Sequence, residues 1–303
     1  MNLYSLAKKF GTEEAALLHL IKMRWPNGVR CLACDHDKVY LIETKGKTGK
    51  VARLFECADC GLHFSATTNT LFHDSHLPLT KWFAAISLMV DGKKGISASQ
   101  LGRHIGMTYK TAWHVCHRIR EAMQEPKSFK IGGESVTVEI DETFVGGRKR
   151  GVGVKAGRDA KTIVIGMAER SGRIHLKTVK SRLAKDMKPV IDDKLRSTTK
   201  EVVTDALRTY QYVIPKEKHN RTSHKEELND KNWTSTQTVE NAFSLFKRGI
   251  IGNYHQLSRE HLDRYLGEFC WRYNRRKMQP WLFEMTLTNM LNKKPLPYKD
   301  LTF

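Results

Sequence analysis

Three acidic residues sit where carboxylates can converge. Asp141 ends an alternating run, Ser135-Val-Thr-Val-Glu-Ile-Asp141, and Asp205 ends a second, shorter one, Glu201-Val-Val-Thr-Asp205. Glu240 lies in a helical stretch, Thr238-Val-Glu-Asn-Ala-Phe-Ser-Leu-Phe-Lys-Arg248. Aspartates at the ends of neighbouring strands meet at one edge of a sheet, and a helix packed beside them supplies a third carboxylate. Such a set suits phosphodiester transfer with two divalent ions about 3.5–4 Å apart. Mg2+ (or Mn2+) is the expected ion, because a hard cation that keeps its waters takes only a few carboxylates plus substrate oxygens. Val239, Ala242, Phe243 and Phe246 form the packing stripe of the helix, and Lys247 projects two turns beyond Glu240 on nearly the same side. Any one of these residues alone, and the pair Glu240 with Lys247, reads as ordinary surface charge. The ordered set of strand Asp, strand Asp and helix Glu is what points to chemistry.

A second constellation is made of sulfur. Cys31-Leu-Ala-Cys34 and Cys57-Ala-Asp-Cys60 are two C-x-x-C turns with identical spacing. Each presents two thiolates to one ion, and together they complete a tetrahedral Zn2+ site. Between them Lys38–Ile42 and Val51–Phe55 read as strands around a Lys45-Gly-Lys-Thr-Gly49 turn, while Asp35 and Gly61 follow the knuckles where tight turns are needed. A redox C-x-x-C or four buried thiols are the alternatives, but a redox motif occurs once, beside a βαβ pattern, and neither condition holds. Cys116 and Cys270 have no partner at ligand spacing and read as small core residues.

The elements that must carry these sites divide the chain into three. Residues 1–74 contain an N-terminal helix and the zinc ribbon. Residues 75–126 read as a helix-turn-helix: Trp82, Phe83, Ile86 and Met89 mark a first amphipathic helix, Ser97–His104 a second, and Gly106 the turn. Thr108 then caps a third helix running to about Met123. On that helix Ala112, Val115, Cys116 and Ile119 face a core, while Tyr109, Lys110, Thr111, His114 and Arg118 lie on other faces and are the candidates for a DNA groove. A plain three-helix bundle would show the same pattern. Residues 127–303 change period: strands at Ser135–Asp141, Ala160–Met167 and Arg173–Val179, a helix over Leu183–Leu195 with Pro189 as a kink or break, a strand at Glu201–Asp205, then further helices. Three meandering strands, a helix, a fourth strand and more helices is the ribonuclease H-like order. The fold class expected is a multidomain α+β or α/β chain.

Charge narrows the partner. Lys and Arg number 52 against 32 Asp and Glu, for a net charge of +20, a field that draws polyanions. No apolar run reaches the length of a membrane span, and the first residues lack the layout of a secretory signal. A cytoplasmic, nucleoid-associated protein that binds nucleic acid is the expectation. Arg148, Lys149, Arg150 and Lys155 in a glycine-rich loop, and Arg272, Arg275 and Arg276 near the C-terminus, are placed to track backbone phosphates.

Over nearly its whole length the chain resembles a bacterial insertion-sequence transposase of the DDE superfamily, in the branch with an N-terminal zinc ribbon. Arg24-Trp-Pro-Asn-Gly28, Cys60-Gly-Leu-His-Phe-Ser65 and Leu79-Thr-Lys-Trp-Phe83 carry the resemblance early in the chain. Ile140-Asp141-Glu142-Thr143 resembles the family's first aspartate segment and Thr204-Asp205 the second. Thr238-Val-Glu240-Asn, Phe246-Lys-Arg-Gly249, Gly252-Asn-Tyr-His255 and Arg272-Tyr-Asn-Arg-Arg276 resemble its C-terminal signature. The resemblance implies that Asp141, Asp205 and Glu240 hold two Mg2+ ions and that Lys247 contacts DNA near the reacting phosphate. Related sequences often carry His and Asn shortly before the helix glutamate, where this chain has Ser235 and Gln237, and Glu240 is the chosen third ligand. His224 resembles another family position. The implied reaction is cleavage of double-stranded DNA at the element's ends, followed by transfer of the 3′-hydroxyl into target DNA, by a homodimer or larger assembly. A DNA-binding regulator with idle carboxylates, a structure-specific nuclease of the same fold, and an RNA-binding zinc protein are the other classes compatible with these residues.

Overall fold

The structure, a computed structural model, describes residues 3–45, 51–146, 161–170, 172–222 and 235–302. The basic loop with Arg148, Lys149, Arg150 and Lys155, and also His224, lies outside them. The chain divides into two compact units, Met1–Asp91 with Ala98–Ala122 and Met278–Phe303 in the first, and Gly92–Ser97 with Met123–Lys277 in the second. This division differs from the boundaries read from sequence. The ribbon and the following helices share one unit, and the last helix joins them instead of the 127–303 segment.

In the first unit, α1 (Leu3–Phe10) and α2 (Glu13–Arg24) precede a small antiparallel sheet of β1 (Val39–Lys45), β2 (Val51–Cys57) and β3 (His63–Phe64). Thr12 caps α2, its hydroxyl accepting from the Ala15 amide at 3.2 Å. So little sheet cannot bury a core of its own. Phe55 and Phe64 pack with Cys31, Cys57 and the Trp25 ring, whose centroid lies 5.7 and 5.9 Å from the two phenyl rings. Three helices follow, α3 (Leu79–Asp91), α4 (Ala98–Ile105) and α5 (Tyr109–Ala122). The Glu13 carboxylate caps α3 by accepting from the Leu79 and Thr80 amides at 2.8 and 3.2 Å. Gly106, at φ +66°, makes the turn between α4 and α5, and Thr108 accepts from the Thr111 amide at 3.3 Å. Cys116 is buried, as expected of a core residue.

The second unit is built on a five-stranded sheet in the order β6-β5-β4-β7-β8: β4 (Thr137–Val145), β5 (Thr162–Glu169), β6 (Ile174–Val179), β7 (Glu201–Thr204) and β8 (His219–Arg221). β4, β5 and β6 meander antiparallel, whereas β7 and β8 join parallel to β4. α6 (Ala184–Lys194) crosses over from β6 to β7, and α7 (Tyr210–Val213), α8 (Gln237–Gly249) and α9 (Leu262–Asn274) complete the unit. α6 runs through Pro189, where the sequence predicted a kink or break. Burial of Met187 and Ile191 on either side of the proline outweighs its missing amide. Period-two alternation sorts the sheet's faces. Val138, Ile140, Ile165, Met167 and Val202 pack with Met187, Ile191, Tyr210 and Val213. Val164, Ala168 and Leu176 pack with Val239, Ala242, Phe243 and Phe246 of α8 and Leu266, Phe269 and Cys270 of α9.

The first unit closes with α10 (Leu282–Asn292), which packs on α2, α3 and α5. The Asn289 side-chain amide donates to the Ala122 carbonyl at 2.9 Å, fastening it to the end of α5.

Candidate active site

The register of β4 and β7 brings the aspartates together. Thr137 lies beside Glu201 and Ile140 beside Thr204 in parallel pairing, so the next residue on each strand, Asp141 and Asp205, falls at the same level. Ligand oxygens of Asp141, Glu142 and Asp205 all lie within 4.8 Å of one another. Glu142 is the member that sequence reasoning missed. Alternation sends it toward the opposite face, where its Oε2 accepts from the Tyr210 hydroxyl at 2.8 Å. The signal available was simple adjacency to Asp141 at a strand's acidic end. Glu240 stands outside that tight group, exposed, with its Oε1 accepting from the Thr236 hydroxyl at 2.8 Å.

Burial, and then the Glu142, Asp205 and Glu240 charges, push the Asp141 carboxyl up to about 7, against a lowering hydrogen bond from the Glu142 amide. Crowded, half-buried carboxylates are a donor set that suits a divalent cation: hard oxygens that repel one another. The residues present therefore fit Mg2+ or Mn2+.

Alternate residues of β4 locate α8. Glu139, 2% exposed, accepts at Oε2 from the Thr238 and Val239 amides at 2.6 and 3.1 Å, which are unsatisfied donors of the first helical turn. Its Oε1 takes the Thr238 hydroxyl at 2.9 Å and Arg170 Nε at 3.1 Å. Glu240 is the next residue along the helix. Thr143 accepts from Lys247 Nζ at 2.5 Å. Desolvation, reinforced by Lys161, lowers the Lys247 pKa, while Asp141 acts to raise it. Between the two anchor points, Gly166 faces Asp141 across the β4–β5 pairing. A Cβ there would fall 2.6–2.8 Å from Phe243 and Val239 side-chain atoms, so glycine sets how closely α8 approaches the sheet. Glu139 and Gly166 position α8 against the sheet, and sequence reasoning did not single them out.

The cysteine site forms by repetition of one turn. Asp35 and Gly61, at φ +57° and +67°, donate their amides to the Cys31 and Cys57 carbonyls at 3.1 Å each. Cys31–Cys60 and Cys34–Cys57 sulfurs are 3.5 Å apart and Cys34–Cys60 3.6 Å. A zinc tetrahedron with bonds of ~2.3 Å has sulfur–sulfur edges of ~3.8 Å, so the four sulfurs are already spaced for the ion. Amide hydrogen bonds from Cys34 and Ala33 pull the Cys31 thiol down to about 6 against its burial, which suits a thiolate ligand.

The residues expected at DNA divide sharply. Tyr109, Lys110 and Thr111 are exposed at the start of α5, with Lys110 Nζ 4.8 Å from the Tyr298 ring centre. Arg118 is buried, and its guanidinium donates to the Leu71, His73 and Leu296 carbonyls at 3.2, 2.9 and 3.2 Å. It clamps three chain segments and is not presented to a groove. His114 is half-buried with Nε2 3.1 Å from the same Leu296 oxygen, and burial lowers its pKa. Arg272 is also buried, paired with Glu268 at 3.2 Å and donating to the Gly92 carbonyl. Arg275 grips Glu125 through two hydrogen bonds of 2.6 and 2.9 Å. Of that run, Arg276 is exposed, its guanidinium carbon 4.3 Å from the Tyr273 ring centre. Trp271 is fully buried in α9.

Two family models match the chain. A transposase zinc-ribbon domain matches residues 11–63, and an ISXO2-like transposase domain matches residues 131–274, spanning Asp141, Asp205, Glu240 and Lys247. The helices α3 to α5 lie between the two matches. A curated relative, an uncharacterized protein in transposable element ISH50 of Halobacterium salinarum, is 28% identical over 219 residues, covering 67% of this chain and 70% of that protein. With the two matches in order along the chain, and the cysteine and carboxylate sets inside them, the chain carries a transposase zinc ribbon followed by an ISXO2-like transposase domain.

Proposed function

We infer that the chain is a DNA transposase that cleaves a phosphodiester at each end of its element and transfers the freed 3′-hydroxyl into target DNA. The observation that carries this reading is the parallel β4–β7 register that levels Asp141 with Asp205 beneath α8. Asp141 and Asp205, with Glu240 from the helix and Glu142 beside them, would hold Mg2+ or Mn2+. When bound, such ions activate an oxygen nucleophile and stabilise the leaving oxygen. The protein's own part is geometric and electrostatic. Glu139 and Thr143 hold α8 at both ends, so Glu240 and Lys247 face the reacting phosphate together. Lys247 places one positive charge where phosphate oxygens gather more negative charge during displacement. The four cysteines hold Zn2+ as a folding element. The exposed start of α5, Tyr109, Lys110 and Thr111, would read a major groove, with α4 crossing the backbone. The loop with Arg148, Lys149, Arg150 and Lys155 would add sequence-independent, salt-sensitive affinity. Pairing two DNA ends calls for at least a homodimer, acting on chromosomal DNA in the cytoplasm. No helix among the described residues is long and apolar enough to cross a membrane.

The test is an assay with labelled linear DNA carrying the element's ends and a supercoiled target, in Mg2+ or in EDTA. Metal-dependent cut and joined products, absent with Asp141→Asn, are expected. Cut ends without joining would mark a nuclease, and binding without cutting would mark a regulator.

A further inference from the structure

A cleft opens in the second unit with Lys247 in its wall. It measures about 590 Å3 and is lined by Phe144, Ile250, Ile251, Leu257, His255 and Arg259, among others. That volume lies within the ~300–1,000 Å3 typical of sites for small ligands, and a duplex would not fit. Its walls are largely apolar, and the polar lining is one-sided in charge. Among the described residues Lys247, His255 and Arg259 contribute, and no carboxylate does. An apolar slot with a basic rim matches a nucleotide: a flat base that gains by leaving water, joined to a phosphate that wants cations.

The backbone of the wall supports a functional reading. α8 ends not in a cap but in one π-helical turn, Ile250–Tyr254, followed by His255 at φ +60°. Such turns and non-glycine residues in the left-handed region are costly and cluster at ligand sites. This wall is braced from behind, since the Asn253 amide donates to the Lys94 and Gly95 carbonyls at 2.9 and 3.2 Å. With the backbone so held, Ile251 stays 74% exposed instead of folding inward. Lys247 ties the cleft to the carboxylates, because its amine bonds Thr143, two residues along β4 from Asp141.

We propose that this cleft seats one unpaired nucleotide of the reacting DNA strand, base against Ile250, Ile251 and Leu257, phosphate at Lys247 and Arg259. The proposal rests on the DNA-cutting reading above and deepens it. Lifting a nucleotide out of the stack would swing the neighbouring phosphodiester toward Asp141 and Asp205. The site would then favour DNA that is already frayed or nicked, since unstacking has been done in advance.

The test uses the full chain, a duplex with a nick and one unpaired 2-aminopurine beside it, and the same sequence fully paired. The expected result is a preference of about fivefold or more for the unpaired duplex, with a change in 2-aminopurine fluorescence on binding. Ile251→Asp should abolish both the preference and the fluorescence change. Leu183→Asp, an equal charge change at another exposed apolar residue, should keep them. Binding to both duplexes without preference, or a preference that survives Ile251→Asp, would overturn the cleft assignment and leave the DNA-cutting reading standing. No binding to either duplex would overturn both.

Discussion

The two metal-type sites of this chain are assembled by opposite means. The four cysteines come from two copies of one local turn, each closed by its own amide-to-carbonyl bond from a residue at positive φ. The carboxylates come from strands joined through a crossover helix, and nothing local to Asp141 or Asp205 tells either where the other is. Parallel pairing of β4 with β7 supplies that information, and a one-residue slip would send one aspartate to the wrong face. A local site depends on its ion and its own turn. A nonlocal site depends on every element that holds the register and the helix above it.

The largest effect should come from breaking the local site. Removing zinc with a chelator, or Cys57→Ser, takes away a binding free energy of order 10 kcal/mol, and hydrogen exchange should show the β1–β3 sheet losing protection. β4 and β5 should keep theirs, because the second unit has cores of its own. Equal loss in both sheets would refute the contrast. Next in size is Asp141→Asn, which should lower cleavage at least about a thousandfold while DNA binding persists in a gel-shift assay.

Glu139→Gln sharpens the comparison, because Glu139 touches neither Asp141 nor Asp205 and acts through α8. It should cost about 1–3 kcal/mol of stability and about 10–100-fold in cleavage. If cleavage per folded molecule were unchanged, Glu139 would be a structural cap only. Gly166→Ala should force α8 away from the sheet at a cost of about 1–3 kcal/mol. It should raise the Mg2+ concentration needed for half-maximal cleavage; an unchanged metal titration would mean that α8 does not need this close approach.

The smallest effect is a pH slope. Asp141 is held up to about 7, so between the ordinary aspartate range and 7 the folded chain keeps a proton that the unfolded chain has lost. In chelator, stability should therefore fall as pH rises through that window. Asp141→Asn should flatten the wild-type slope by about 1–2 kcal/mol once solvent screening is allowed for. Identical slopes in thermal melts of the two proteins would rule this out.

Basic residues mark where reading from sequence stopped. Tyr109, Lys110, Arg118, Arg272 and Arg275 look alike as candidates for DNA, since each is a polar or cationic residue on a helix in a chain of +20. Tyr109 and Lys110 stay outside. Arg118 is consumed by carbonyls of Leu71, His73 and Leu296, and Arg275 by Glu125. Their partners are remote in sequence, and a guanidinium with five donors is as good at binding a fold together as at gripping phosphate. The third carboxylate met the same limit. Helical spacing pointed to Glu240, yet the group within ligand distance of Asp141 and Asp205 among the described residues includes Glu142, whose Oε2 also accepts from the Tyr210 hydroxyl.

From sequence alone came whatever depends on short-range geometry: the zinc knuckles with their turns, the capped start of α5, the alternation of β4, and the order of β4, β5, β6, α6 and β7, though not β8. These follow from residue type and spacing, because the forces that set them act over a few residues. Tertiary structure alone decided which carboxylates meet, that α6 continues through Pro189, that α10 returns to the first unit, and which arginines remain free to face a partner. Those outcomes depend on burial and on hydrogen bonds between distant segments, whose free energies exist only once the chain has folded around them.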